Sequence, residues 1–120
     1  MIILIVEDNR HMRRLLIEIV SPAFPSSTIL GAADARSATR LFRETRPDLV
    51  LMDVALPDGN GIALTAEIKS LLPTSRVVIV SNDRSRACQD AAAVAGAAGY
   101  VFKDDILDKL LPALGLVLEQ

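Results

Sequence analysis

Five short apolar runs recur along the chain: Ile2–Val6, Thr28–Ala32, Leu49–Met52, Val77–Val80 and Gly99–Phe102. The first, third and fourth are unbroken runs of Ile, Leu, Val and Met, the pattern of a strand buried on both faces. The intervening segments change to helical spacing. Met12, Leu15, Leu16 and Ile19 recur along residues 9–20, and the Pro22 region is expected to close that helix. Asp34 is the expected N-cap of a second helix with Ala38, Leu41 and Phe42 facing inward and Pro47 beyond its end. A third helix spans residues 61–72 and stops at Pro73, and an Ala-rich fourth runs from about Arg84 to Ala95. The last helix carries a stripe of Leu107, Leu110, Leu111, Leu114 and Leu118, with Pro112 expected to kink it or start a fresh turn. Alternating strands and helices predict an α/β fold, a parallel sheet covered on both faces and joined by right-handed crossovers.

The chain has 120 residues, the usual size of one domain. Composition narrows its chemistry. Hydrophobic residues make up 51% and charged residues 23%, as in a globular protein rather than a disordered tail. A net charge of −2, from 13 basic and 15 acidic groups, argues against direct nucleic-acid binding. Cys88 is the only cysteine, which excludes an internal disulfide and a Cys-based zinc site. The amino-terminal apolar run is too short for a signal peptide or a membrane span, so no membrane association and a cytoplasmic location are expected.

In a parallel sheet of this kind, reactive groups belong at the carboxyl ends of the strands. Here those ends carry Glu7-Asp8, Asp53, Ser81-Asn82 and Lys103. Each has a plain structural explanation alone: Glu7-Asp8 as a helix cap, "LPDGNG" as a turn, Ser81 as a turn residue, Lys103 as a solvated strand end. Those explanations do not account for all four at matching ends of four strands. Three carboxylates and one ammonium leave the pocket at −2, and crowded carboxylates favour protonation unless a cation intervenes. An all-oxygen donor set with room for water suits Mg²⁺, with Mn²⁺ as the alternative, and argues against zinc or copper. A carboxylate beside such an ion is placed to attack a phosphoryl group, because that transfer needs alignment and neutralised charge.

The acidic pair in "LIVEDN", the segment "MDVALPDGNG", then "VVIVSN" and "GAAGYVFK" stand in an order that resembles the receiver domain of two-component response regulators. The resemblance covers essentially residues 1–120 and implies a flavodoxin-like (βα)5 three-layer sandwich with strand order 2-1-3-4-5. It implies that Asp53 is the phosphoacceptor, that Asp8 binds Mg²⁺ directly with Glu7 helping directly or through water, and that the Ala55 backbone carbonyl is a further ligand. It places Ser81 and Lys103 on phosphoryl oxygens, and Ser81 and Tyr100 in a switch acting on the face formed by helix four, strand five and helix five. In that switch Ser81 moves inward and the Tyr100 ring follows from solvent. The implied partners are a sensor histidine kinase or phosphotransfer protein, an output domain or partner protein, and a second copy in a phosphorylation-dependent homodimer. The domain is then not an enzyme beyond its own phosphorylation and dephosphorylation.

One departure is visible: the family usually has proline after the lysine, and here Asp104 follows Lys103. Two rival functions fail on specific residues. A haloacid-dehalogenase-type phosphatase needs an acid two residues after its nucleophile, where this chain has Ala55. A flavin or dinucleotide binder needs a glycine-rich loop after strand one, where this chain has "EDNRHM". His11 is expected to be solvated and Cys88 to be small packing. Because strand one begins almost at Met1, the receiver is expected to be the N-terminal module of its protein or the whole of it.

Overall fold

The computed structural model describes residues 1–119. Its main sheet has strands β1 (Ile2–Val6), β2 (Thr28–Ala32), β3 (Leu49–Met52), β4 (Arg76–Ser81) and β5 (Gly99–Phe102). Helices α1 (Arg10–Ala23), α2 (Ala35–Thr45), α3 (Gly61–Leu71), α4 (Arg86–Ala95) and α5 (Ile106–Leu118) alternate with them. All neighbouring strands pair in parallel, in the order β2-β1-β3-β4-β5. This is the flavodoxin-like order, and it puts the ends of β1, β3, β4 and β5 side by side.

The unbroken apolar runs arise because successive strand residues point to opposite faces and both faces are covered. Leu4, Val6, Val50, Met52, Val77 and Ile79 pack against α2, α3 and α4 through residues such as Phe42 and Ile68. Ile3, Ile5, Leu49, Leu51, Val78 and Val80 pack against α1 and α5. Full burial of each large aliphatic side chain stabilises by about 1.5–3 kcal/mol. No helix among the described residues is long and apolar enough to cross a membrane.

The first helix ends in the Pro22 region as expected, and the last differs from expectation in its buried face. α1 continues through Pro22 to Ala23, and α5 is one helix through Pro112. Each proline removes one hydrogen bond to the carbonyl four residues back. Those carbonyls belong to Glu18 and Asp108, and all four residues involved are exposed, so each loss falls on the solvent side of its helix. The buried stripe of α5 is Ile106, Leu110, Leu114 and Val117. Leu107 and Leu111 from the expected stripe are 79% and 38% exposed. The buried face keeps Leu110 and Leu114 but is turned by roughly 60° from the phase the leucines alone indicated.

Two-residue strands, Ala55–Leu56 and Gly59–Asn60, pair antiparallel between β3 and α3. The "LPDGNG" turn is thus a small hairpin. A 3₁₀ turn, Lys103–Asp105, joins β5 to α5.

Candidate functional site

Backbone hydrogen bonds carry the strand ladder one residue beyond β1 and β3, and so fix two of the carboxylates. The Glu7 N–H donates to the Ala32 carbonyl at 2.9 Å, and the Asp53 N–H donates to the Val6 carbonyl at 3.0 Å. Glu7 and Asp53 are buried, at 1% and 5% exposure, whereas Asp8 is exposed. One carboxylate oxygen from each of Glu7, Asp8 and Asp53 lies within 4.8 Å of the others.

Lys103 reaches this cluster from the end of β5. Its Nζ lies 2.6 Å from Glu7 Oε1 and 3.3 Å from Asp53 Oδ1. Burial pushes the Glu7 carboxyl up to about 7, the hydrogen bond shared with Asp53 adds to the rise, and Lys103 opposes it. For Lys103, burial pulls downward, but the two carboxylates outweigh it and hold the ammonium above its ordinary value. Glu7 and Asp53 therefore share one cation, and burial favours the protonated form of Glu7.

A pocket of about 460 Å³ opens above the cluster, lined by Asp8, Asp53, Ala55, Ser81, Asn82 and Lys103. The Ser81 hydroxyl accepts from the Asp83 N–H at 3.0 Å. All the residues expected at the strand ends meet here.

The backbone under Asp53 is equally constrained. The Gly61 N–H donates to the Val54 carbonyl at 2.7 Å. A Cβ on Gly61 would lie 1.9 Å from the Asp53 carbonyl oxygen, so only glycine fits. The hairpin thus brings the first residue of α3 onto the backbone of the strand end that presents Asp53.

Tyr100 is not in solvent, contrary to the expected resting position. The ring is half-buried; its hydroxyl donates to the Asp83 carbonyl at 2.6 Å and lies 3.3 Å from Cys88 Sγ. Burial, then the Cys88 contact, push the phenol up to about 12. Cys88 is thus half-buried beside the tyrosine rather than simple helix packing, while His11 is exposed as expected.

The family model of the response regulator receiver domain matches residues 3–114. The chain belongs to this family. Among its relatives is the DNA-binding transcriptional activator DevR/DosR of Mycobacterium tuberculosis, 36% identical over 103 residues, or 85% of this chain and 47% of that protein. Chemotaxis protein CheY of Thermotoga maritima is 31% identical over 116 residues, 96% of this chain and 95% of that one. The receiver domain therefore spans about half the length of the first relative and nearly all of the second. A solved two-component response regulator of the LuxR family from Aurantimonas sp. superimposes with a TM-score of 0.87 at 31% identity, covering 99% of this chain and 86% of the other.

Several supports of the receiver site were missed in the sequence. Neither Glu7 nor Asp8 caps α1; Asn9 does, its Oδ1 accepting from the Met12 N–H at 2.9 Å. Arg13 donates to the Glu7 carbonyl at 2.7 Å. Asp58, read as a turn residue, accepts from the Ala35 and Arg36 N–H groups at 2.6 and 3.0 Å, so the hairpin is tied to the start of α2. The Ser/Thr/Asp/Asn preference of helix caps points to Asn9; nothing local points to Asp58, which lies 23 residues from Ala35. Among the described residues there is no cis peptide bond, so Lys103 enters its turn through an ordinary trans bond.

Proposed function

We infer that this receiver domain accepts a phosphoryl group on Asp53 from a histidine kinase or phosphotransfer protein and relays the change to an output domain or partner. One observation supports this above the others. Asp53 is buried among Glu7, Asp8 and Lys103, yet lines a pocket open to solvent. An Asp53 carboxylate oxygen attacks phosphorus, a P–O bond forms, and the bond from phosphorus to the donor breaks as its electron pair leaves with the donor.

Lys103 then pairs with one phosphoryl oxygen and the Ser81 hydroxyl donates to another. Glu7, Asp8 and Asp53 form an all-oxygen donor set that fits Mg²⁺ or Mn²⁺, with Asp8, Asp53 and the Ala55 carbonyl as direct ligands and Glu7 direct or through water. Such an ion, when bound, supplies charge neutralisation at the transferring group. By this reading the domain acts only on its own phosphorylation state, and a second copy is a candidate partner of the phosphorylated form.

Incubation with acetyl phosphate and Mg²⁺ should add one phosphoryl group by intact mass. Asp53→Asn should abolish the gain, and EDTA should suppress it in the parent. The same label on the Asp53→Asn protein, or no effect of EDTA, overturns the assignment.

A further inference from the structure

Lys103 can meet a phosphoryl group only if the turn that follows β5 holds it in place. That turn, Lys103–Asp105, has no side-chain cap and no proline at position 104 to restrict its backbone. A residue of the β4–α4 loop reaches it instead. Arg84 Nη2 lies 2.6 Å from Asp104 Oδ1 and 3.4 Å from Asp105 Oδ2, so one guanidinium nitrogen meets both acids of the turn. Its Cζ stands 4.1 Å from the ring centre of Phe102, the residue before Lys103. Phe102 in turn packs edge-on against Tyr100, ring centres 5.6 Å apart, and Tyr100 bonds the carbonyl of Asp83, the residue before Arg84.

We propose that Arg84 is a positioning residue that clamps the Lys103 turn to the loop that follows Ser81, through Asp104, Asp105 and Phe102. The inference rests on the phosphoacceptor reading of Asp53. Ser81 ends β4 and Lys103 opens the turn after β5, and both must face one phosphoryl group. The strands pair as far as Ser81 and Phe102, and the clamp continues that connection past their ends, from Arg84 to Asp104 and Asp105. An isolated exposed ion pair contributes little, but here two carboxylates and an aromatic face share one planar cation. Arginine suits that geometry and lysine does not, because an ammonium cannot lie flat on a ring while meeting two acids.

Beryllofluoride with Mg²⁺, a phosphoryl mimic, tests the clamp alongside Mg²⁺ alone and amide hydrogen exchange at residues 103–105. Arg84→Ala should weaken beryllofluoride binding about threefold to tenfold. It should speed exchange in the turn, and it should leave Mg²⁺ affinity undiminished, since Lys103 competes with the metal for the same carboxylates. Arg84→Lys should fall between parent and Arg84→Ala, and Asp104→Ala should add little to Arg84→Ala. Parent-like beryllofluoride affinity and exchange in Arg84→Ala overturn the clamp, as does an equal loss of Mg²⁺ and beryllofluoride binding, which marks general loosening. If the parent itself fails to bind beryllofluoride, the phosphoacceptor reading falls, while the exchange measurement still decides whether Arg84 holds the turn.

Discussion

Gly61 shows how one missing atom sets the position of a reactive group. Its N–H bonds the Val54 carbonyl, and the space a side chain would need is filled by the Asp53 carbonyl oxygen, 1.9 Å from the Cβ position. Gly61→Ala must push either the start of α3 or the end of β3 aside. Backbone cannot yield as a flexible side chain does, so the substitution should destabilise by about 1–3 kcal/mol. Urea unfolding measures that loss. Phosphorylation by acetyl phosphate should slow as well, because the displaced backbone is that of Asp53. A fully stable variant with parent phosphorylation kinetics contradicts the close approach.

At the scale of elements, the β4–α4 loop connects the two halves of the proposed response. Ser81 ends β4, Asp83 receives the Tyr100 hydroxyl, Ser85 caps α4 through the Cys88 N–H at 3.1 Å, and Arg84 grips the next turn. A phosphoryl group on Asp53 brings about −1.5 to −2 charge and three acceptor oxygens within reach of the Ser81 proton. Movement of Ser81 toward it carries the partner of Tyr100 along, so the tyrosine responds by losing or shifting a hydrogen bond rather than by entering from solvent. Ser81→Ala should still accept phosphate at Asp53 yet fail to reorganise this region. Amide shifts at residues 84–105, with and without beryllofluoride, report the difference. Parent-like shifts in Ser81→Ala rule out a relay through the hydroxyl.

At the scale of the whole molecule, the pH dependence of stability runs through Glu7. Its folded pKa is raised from 4.5 to about 7 by burial and by Asp53. Between those values the folded state holds a proton that the unfolded chain has released. Stability from this group is therefore full below 4.5 and is lost as pH rises through about 7. The ceiling is about 1.4 kcal/mol per pH unit for one proton. Asp34 and Asp83, whose carboxyls are lowered mainly by hydrogen bonds from Ser37 and Ser85, complete their contribution at more acid pH. Without metal, the melting temperature should fall from pH 5 to pH 8, and Glu7→Gln should flatten that slope. If Mg²⁺ binds the deprotonated carboxylates of the folded form as proposed, it should raise the melting temperature more at pH 8 than at pH 6. A metal effect independent of pH would contradict the raised Glu7 pKa.

The order of elements and the residues at the strand ends were legible in the sequence because both are local. An unbroken run of Ile, Leu and Val states that a strand is buried on both sides, and the first polar residue after it marks where the run leaves the core. Glu7, Asp8, Asp53, Ser81 and Lys103 could be gathered on one edge from that rule alone. The fold decided everything that depends on distance through space. It buried Glu7 and left the adjacent Asp8 exposed, because successive residues at the end of β1 face different surroundings and Lys103 closes over only one of them. It turned α5 so that Ile106 and Val117 replaced Leu107 and Leu111 against the sheet, since a helix's phase is set by the shape of what it packs on. It also joined Asp58 to α2 and Arg84 to Asp104, pairs 23 and 20 residues apart. Spacing along a chain encodes periodicity and reach within one element; which distant groups meet is settled only when the elements pack.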